Sequence, residues 1–189
     1  MKRVRLGGPG IIKATCDLLS QGGVVVYPTD TLYGFGCDAE NDEAIKKINQ
    51  IKGRTTPISV LAPDMNTALG WMKLTEDEKI MVSKKLGGAS TVIVPVFKDT
   101  VHSLITGHQN TLGIRIPDHP FCKKLSQKFG GPITTTSVNR TGALPMTNPN
   151  HIFSEFTNEV DLLIDDGIIS GRGSVIYIYK HGELKTIRS

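Results

Sequence analysis

The sequence predicts an α/β fold built on one sheet with mixed strand pairing, and three observations predict it. Short runs of β-branched and apolar residues, which are typical of buried strands, recur along the chain, as at residues 24–26. Segments with apolar residues at helical spacing alternate with these runs, and several of them stop at glycine. No internal repeat, low-complexity run or linker divides the chain. The 189 residues are therefore predicted to form a single domain, 1–189.

Turn and capping residues predict the first elements. Apolar residues at helical spacing predict a helix over 9–20 that stops at a Gly-Gly pair, and the strand at 24–26 follows it. Residues 27–36 carry Pro, Thr hydroxyls, a carboxylate and Gly. They are predicted to be a polar turn at the carboxyl end of that strand, where open α/β sheets usually bind ligands. Asn41 is predicted to cap a helix that Gly53 ends.

The remaining elements show the same two periodicities. Further strands are predicted at 58–61, 91–97, 111–117, 133–139, 161–164, 174–179 and 184–188, the last two joined as a hairpin. Further helices are predicted to begin at the capping residues Asp64, Thr75, Asp118 and Asn148, the second of them with a capping box and an end at Gly87. Pro95 suggests that its strand is an edge strand or is irregular. Residues 167–173 are predicted to be a flexible loop.

Composition excludes several classes of protein. Hydrophobic residues make up 39% of the chain and charged residues 21%, and no apolar run approaches the roughly 18 residues of a membrane span. The basic residues 1–5 have no apolar signal core after them, so a cytoplasmic location and no membrane contact are expected. The net charge of +4 permits an anionic partner. There is no Lys/Arg-rich block of the kind that forms a nucleic-acid-binding tail.

The common catalytic and metal motifs are absent from the sequence. It contains no Walker phosphate loop, no dinucleotide-binding fingerprint, no nucleophile elbow and no H-E-x-x-H pair. Its five His are scattered, and Cys16, Cys37 and Cys122 share no close spacing. Neither a disulfide frame nor a metal site of protein side chains is therefore expected. Cys37 lies near Asp38 but has no His close in sequence, which favours a buried thiol over a hydrolase nucleophile.

Cations and hydroxyls cluster near the predicted strand ends. Lys52 and Arg54 flank the glycine that ends a helix, so both leave the helix terminus beside the polar turn. The alternative is that they only complement the helix dipole. Arg115 lies between two Ile residues of a strand, where a guanidinium either faces solvent or is held for a carboxylate or phosphate. Ser137 and Asn139 share one face of a strand, although the three Thr before them are also ordinary strand formers.

Four blocks of the sequence resemble the YrdC-like threonylcarbamoyl-AMP synthases. They are YPTDTLYGFGCDA at 27–39, KGR at 52–54, TLGIRIP at 111–117 and TSVNRTG at 136–142. Their order and spacing match the family over nearly the whole chain, and the K-x-R and S-x-N pairs beside P-T-[DE]-T-x-Y-G are specific to it. The resemblance implies a twisted, mixed and largely open sheet with flanking helices around a wide, positively charged concave cleft. Because the sequence ends at Ser189, the short single-domain form of the family is expected.

The resemblance also implies a reaction. The family joins L-threonine, bicarbonate and ATP into threonylcarbamoyl-adenylate and releases pyrophosphate, which makes it a nucleotidyltransferase. A separate threonylcarbamoyl transferase complex then builds threonylcarbamoyladenosine at position 37 of ANN-decoding tRNAs. The carbamate and the triphosphate are both anions, so cations that hold them in line are needed and a covalent nucleophile is not. Mg²⁺ is expected to be carried with the triphosphate, since it prefers phosphate oxygens and water.

The family match assigns expected roles to ten residues. Lys52 and Arg54 are expected to be catalytic and to hold phosphates. The other expected ATP contacts are Thr111, Ser137, Asn139 and Arg188, and the expected threonine contacts are Thr31, Arg115, Thr135 and Ser174. Arg115 suits the threonine carboxylate because its planar fork can bind two oxygens at once.

The sequence departs from the family pattern at a few positions. Leu61 stands where many relatives have a His near threonine, and Val175 follows Ser174 where the family usually has Thr. Val138 replaces Ala within the S-x-N pair, and the loop at 55–57 is shorter than usual. Leu61 and Val175 are the departures that bear on selection of threonine.

Two alternatives compete with the synthase. The first is an RNA-binding module that grips tRNA or ribosomal RNA with the same basic cleft and performs no chemistry. Aromatic residues make up only 6% of the chain, which is few for a surface that stacks bases. The second is a carbamoyl-transfer domain like those inside larger relatives that act on carbamoyl phosphate. Those domains occur with attached domains, which are not expected here.

Overall fold

The computed structural model describes residues 1–54 and 57–189 of the chain. Most of the short loop predicted at 55–57 therefore lies outside the described residues. The strands are β1 (Lys2–Arg5), β2 (Val25–Tyr27), β3 (Gly34–Gly36), β4 (Ser59–Leu61), β5 (Ser90–Pro95), β6 (Thr111–Arg115), β7 (Ile133–Ser137), β8 (Leu162–Asp165), β9 (Val175–Lys180) and β10 (Glu183–Arg188). The helices are α1 (Ile11–Ser20), α2 (Asp42–Lys52), α3 (Met65–Trp71), α4 (Glu76–Ser83), α5 (Pro120–Phe129) and α6 (Pro149–Phe156), and a 3₁₀ turn spans His108–Asn110.

The strands form one open mixed sheet, which confirms the predicted fold class. Their order is β1-β8-β2-β3-β7-β4-β6-β5-β9-β10. Four neighbouring pairs are parallel, namely β1 with β8, β8 with β2, β4 with β6, and β5 with β9. The other neighbours are antiparallel. None of the helices in the described ranges is long and apolar enough to cross a membrane.

Two apolar cores are separated by the first half of the sheet. Val24 and Val26 of the segment around β2 point into one core, and Val25 and Tyr27 point into the other, as the two-residue period of a strand requires. Helices α1 and α5 cover the second core. Helices α2 and α6 pack on the first. Both faces of this part of the sheet are therefore buried, which explains its continuous apolar strands.

Several capping predictions are confirmed. The Asn41 Oδ1 accepts a hydrogen bond from Ala44 N at 3.0 Å, and Gly53 ends α2 with a left-handed φ of 65°. Thr75 forms both bonds of the predicted capping box. Asn148 caps α6 from the position before a helical Pro.

The predicted cap at Asp118 is wrong. Helix α5 is capped instead by His119, whose Nδ1 accepts from Phe121 N at 3.2 Å. Pro120 occupies the first helical position, where its fixed φ suits the helix, so the cap falls on the residue just before it. Asp118 uses its backbone N–H elsewhere and donates it to Asp30 Oδ2 at 2.8 Å.

Two strands were not predicted. Residues 34–36 belong to the predicted polar turn but form β3, which pairs with β2 and β7. Propensity rules do not predict this strand because glycine is rare in strands. A Cβ on Gly36 would lie 2.5 Å from the Tyr27 ring, so the close packing requires glycine. Strand β1 is basic and mostly exposed, and it pairs only with β8, so its strand character depends on a distant partner.

Two further predictions about the middle of the chain are corrected. Strand β5 lies between β6 and β9, so the edge position suggested by Pro95 is wrong. The pairing of β5 with β9 ends at Ile93. The next residue after Pro95, Val96, donates its N–H to Asn110 O, just before β6, so the nitrogen of Pro95 points to the opposite side. Pro95 therefore removes no hydrogen bond from the sheet. Helix α4 ends at Ser83, before the glycine pair that was expected to end it.

Candidate active site

A cavity of about 380 Å³ lies over the part of the sheet that runs from β3 to β10. Its floor is formed by strand side chains that share one face, such as Thr91 and Ile93 of β5 and Thr135 and Ser137 of β7. The polar turn after β2 and the end of α2 form its walls. The cleft therefore spreads across the face of the sheet and is not confined to the ends of the strands.

Lys52 is buried at the end of α2 with its ammonium group in the cleft. Its side chain is only 3% exposed, and Nζ donates to Ser137 O and to Asn139 Oδ1, each at 2.7 Å. An ammonium has three donors, so one remains for a ligand. Burial, together with the nearby charge of Arg54, lowers the pKa of Lys52 to about 8. The alternative that this residue merely complements the helix dipole does not explain these contacts.

Asn139 holds Lys52 and has no donor or acceptor to spare. Its Oδ1 accepts from Lys52 Nζ and from Ser137 Oγ at 2.6 Å, and its Nδ2 donates to Arg140 O and Ala143 O at 2.8 Å each. All four bonds of the amide are made within the protein. Asn139 lines the cleft as predicted, and these bonds make it the anchor of the lysine.

Arg54 is the less constrained of the two cations at this end of the cleft. The contact of its guanidinium is a long one, 3.4 Å from Nη2 to Thr136 Oγ1. Burial lowers its pKa from the ordinary value. Because most of its five donors have no recorded protein partner within the described residues, the fork can reorganise around an anion.

Arg115 and Arg188 form a second pair of cations in the cleft. Arg115 Nη2 donates to Asp30 Oδ1 at 2.9 Å and to Thr31 Oγ1 at 3.2 Å. Arg188 donates to Ser174 O from Nε and Nη2. Burial and the charge of Arg115 lower the pKa of Arg188. The cleft thus holds two cation pairs, one beside the end of β7 and the other carried by β6 and β10.

Nine of the ten predicted site residues line the cleft. They are Thr31, Lys52, Arg54, Arg115, Thr135, Ser137, Asn139, Ser174 and Arg188. Thr111 is not among the lining residues, because it begins β6 four residues before Arg115, and its hydroxyl donates to His108 O at 3.1 Å. The structure therefore brings nine of the residues together in one cleft and leaves Thr111 apart. The ligand contacts of all ten residues stay predictions.

Sequence reasoning missed several polar residues in and beside this site, of which four make informative contacts. Thr29 organises the turn by accepting from Thr31 N and Leu32 N. Thr91 shares a hydrogen bond of 2.7 Å with Ser174 across the cleft floor. Asp30 pairs with Arg115, and Thr136 contacts Arg54. The sequence signal for Asp30 and Thr29 was their place in the polar turn. Thr91 and Thr136 had no such signal, because they look like ordinary strand threonines.

Neither of the two departures that bear on threonine selection reaches the cleft. Leu61 is fully buried and packs in the second core, beside Tyr27 and Leu125. Val175 is half-buried and lies between Ser174 and Ile176, which line the cleft while it does not. The floor is therefore made by residues other than these two.

Cys37 has a structural role. It is fully buried in the first core, and burial raises the pKa of its thiol to about 12. Its backbone N–H donates to Thr134 Oγ1. A thiol that stays protonated at neutral pH is a poor nucleophile, so the buried-thiol interpretation is confirmed. All three cysteines are free.

The loop at 167–173 is fastened at both ends and passes close to the polar turn. Tyr33 Oη donates to Gly167 O and accepts from Asp166 N, both at 2.8 Å. At the other end, a Cβ on Gly171 would stand 1.8 Å from Thr31 O. The loop therefore sits directly on the residues that shape the cleft.

Replacing Gly171 by Ala is expected to destabilise the protein by about 1–3 kcal/mol, because the methyl group overlaps the Thr31 carbonyl and the backbone must move. Urea unfolding measures this change. Gly70 is the matched control, since it lies in α3 with no atom within 4 Å of its Cβ position, and Gly70→Ala should stabilise by about 0.5–1 kcal/mol. Equal effects of the two substitutions would contradict the close approach at Gly171.

The donor set of the cleft suits an anion and does not suit a bare metal ion. The described lining residues include four cations and many hydroxyls but no carboxylate. No group of three or more potential metal ligands occurs within residues 1–54 and 57–189. Any Mg²⁺ in this cleft would have to be bound through phosphate oxygens and water.

The fold and the cleft define an α/β protein with a cation-lined site for small anionic ligands. A family model named Sua5/YciO/YrdC, described as "Telomere recombination", matches residues 17–189. The threonylcarbamoyl-AMP synthase of Pseudoalteromonas translucida (strain TAC 125) is 33% identical over 162 residues, which cover 82% of this chain and 85% of that protein. The chain belongs to the Sua5/YciO/YrdC family.

Two solved structures share this fold. The crystal structure of P. abyssi Sua5 complexed with L-threonine matches 99% of the chain with a TM-score of 0.87 and 26% identity. The chain spans 56% of that protein. The structure of E. coli YciO covers 100% of this chain and 94% of its own length, with a TM-score of 0.89 and 22% identity. The second likeness shows the fold alone.

Proposed function

We propose that this protein is an L-threonylcarbamoyladenylate synthase. It is a nucleotidyltransferase that joins L-threonine, bicarbonate and ATP and releases pyrophosphate. The observation that carries the proposal is the presence of two cation pairs in one cleft, Lys52 with Arg54 and Arg115 with Arg188. The named synthases among the relatives support it, and none of them supports the alternative of an RNA-binding module.

The Lys52 and Arg54 end suits the triphosphate. Lys52 has one free donor and Arg54 has several, and no carboxylate of the described residues contacts either side chain. In a partly buried site, such preorganised donors stabilise the charge that develops on the α-phosphate when the carbamate attacks it. Ser137 and Asn139 act through Lys52, which they fix in place.

The Arg115 end suits the amino acid. Arg115 presents a guanidinium for the threonine carboxylate, and the hydroxyls of Thr31, Thr135 and Ser174 stand on the same stretch of the cleft. Carbamate formed on the threonine nitrogen then lies between the two cation pairs. The protein supplies proximity and charge compensation, and no covalent intermediate with the chain is required.

The proposal also includes the metal ion, the fate of the product and the place of the reaction. Mg²⁺ is carried in by the triphosphate. The unstable adenylate passes to a separate threonylcarbamoyl transferase complex that modifies tRNA, and direct tRNA binding by this chain is compatible with its net charge of +4. We place the reaction in the cytoplasm, where ATP, threonine and tRNA occur together, and in a single domain formed by residues 1–189.

The test is pyrophosphate release from ATP in bicarbonate buffer, with L-threonine, L-serine or no amino acid, and mass spectrometry of the adenylate. The expected result is threonine-dependent release that is lost in carbonate-free buffer. Serine should be used less well, because it lacks the methyl group that the apolar part of the floor at Ile93 and Ile176 can pack against. Nucleotide binding without threonine-dependent release would refute the proposed function.

A further inference from the structure

The Asp30 carboxylate lies behind Arg115 and does not itself line the cleft. Both of its oxygens are used, because Oδ1 accepts from Arg115 Nη2 at 2.9 Å and Oδ2 accepts from Asp118 N at 2.8 Å. The Arg115 and Asp30 side chains are 9% and 11% exposed. One carboxylate thus joins the polar turn, the end of β6 and the approach to α5.

Within residues 1–54 and 57–189, Asp30 is the one carboxylate that contacts a cation of the cleft. Lys52, Arg54 and Arg188 bond instead to carbonyl, amide and hydroxyl oxygens. The four cations are therefore unequal. The Lys52 and Arg54 end keeps two uncompensated charges, whereas Asp30 reduces the Arg115 and Arg188 end to one.

The pairing also fixes the direction of the guanidinium. Arg115 Nη2 is occupied by Asp30 and by Thr31 Oγ1, and Nε is buried without a partner. Nη1 makes no hydrogen bond within the described residues and is not fully buried, so it is the group left for a ligand. Without Asp30, a nearly buried guanidinium beside Arg188 would be held by a hydroxyl alone and would be free to reorient.

We propose that Asp30 is a positioning residue that makes Arg115 selective for a zwitterionic amino acid and unfavourable for polyphosphate, while Arg188, which bonds to Ser174, stays an expected ATP contact. The proposal rests on the proposed function, since it divides that cleft into an amino-acid end and a phosphate end. A polyphosphate favours the greater net charge, at Lys52 and Arg54. A single carboxylate needs one guanidinium held in a fixed orientation, which Asp30 provides.

The experiment compares Asp30→Asn, Asp30→Glu and the native protein by calorimetric titration with L-threonine and, separately, with inorganic tripolyphosphate. In Asp30→Asn, the Kd for L-threonine should rise at least about tenfold, while tripolyphosphate should bind as well as before or more tightly. In turnover, KM for threonine should rise far more than KM for ATP. Asp30→Glu, which keeps the charge, should recover most of the threonine affinity.

Asp165→Asn is the matched control. Asp165 Oδ2 accepts from Arg3 Nε and Nη2, and its Oδ1 accepts from Gly167 N, so it makes a comparable arginine pair and backbone bond on β8, outside the cleft lining. Because the Arg3 side chain is 33% exposed, Asp165→Asn should destabilise the fold less than Asp30→Asn does, and it should change neither ligand affinity. Melting temperatures of all variants separate loss of folding from loss of binding.

The selectivity proposal for Asp30 and the proposed synthase activity are refuted by different outcomes. Equal weakening of threonine and tripolyphosphate binding in Asp30→Asn, or an equal effect of Asp165→Asn on threonine, would overturn the selectivity proposal. Native protein that binds threonine but releases no threonine-dependent pyrophosphate would refute the synthase and leave the binding comparison to decide the role of Asp30. Native protein that binds no threonine would overturn both.

Discussion

Replacing Arg54 by Ala is expected to abolish adenylate formation while leaving the fold intact. The guanidinium lines the cleft with one long contact to Thr136, so most of its donors remain available for the phosphates. Removal of a preorganised donor to developing charge lowers kcat on the order of 10²- to 10³-fold. A half-buried cation without an ion pair contributes less than about 1 kcal/mol to folding. Threonine-dependent pyrophosphate release and the melting temperature measure the two effects.

Two variants sharpen this test. Arg5→Ala removes an exposed arginine of β1, outside the cleft lining, and should change neither activity nor nucleotide affinity. Arg54→Lys keeps the charge but loses the planar fork, so it should recover only part of the activity. Full activity of Arg54→Ala at an unchanged melting temperature would remove the proposed chemistry from this end of the cleft.

Replacing Lys52 by Met is expected to abolish activity and to change how stability depends on pH. The pKa of Lys52 is about 8 in the folded protein, against an ordinary value of 10.5. Between these two values the unfolded chain binds more protons than the folded one, so the free energy of unfolding of the native protein rises with pH. The Met variant lacks this contribution. The stability of the native protein relative to the variant should therefore increase by about 2–3 kcal/mol from pH 7 to pH 10.

Urea unfolding of both proteins across this pH range measures the difference between their free energies of unfolding. The contributions of the other titrating groups cancel in this difference. Met leaves Ser137 O and the Asn139 amide without their partner, which shifts the variant by a constant amount but does not alter the slope. Lys124→Met, at an exposed position of α5, controls for the loss of a lysine. A difference between native and Lys52→Met proteins that stays constant with pH would contradict a buried, destabilised ammonium.

The elements that could be predicted from the sequence are those whose signal is local. The caps at Asn41 and Thr75 depend on bonds within one helical turn, and both were predicted correctly. Strand β3 was not predicted because Gly36 is required by the closeness of the Tyr27 ring, which lies on another strand. The cap at Asp118 was predicted wrongly because Pro120 occupies the first helical position, which places the cap on His119, and the Asp118 carboxylate accepts from Lys123 instead.

The same distinction applies to the candidate site. The positions of Lys52, Arg54, Ser137 and Asn139 in one cleft were predicted because their motifs carry the family resemblance. The bonds between them were not, since no spacing rule says that the Asn139 amide is saturated or that it holds Lys52. The pairing of Asp30 with Arg115 joins two segments 85 residues apart, so it could be found only in the fold.

The order of the strands in the sheet has a consequence for how the polypeptide is made. Strand β1 pairs only with β8, and its partner to Lys2 is Leu162. At roughly 5–20 residues per second, a ribosome needs on the order of ten seconds to half a minute to deliver that partner. During this time β1 has no neighbour, and β2 lacks one of its two. The sheet can therefore be completed only late in synthesis, and we expect slow folding because β1 and β8 lie so far apart in sequence.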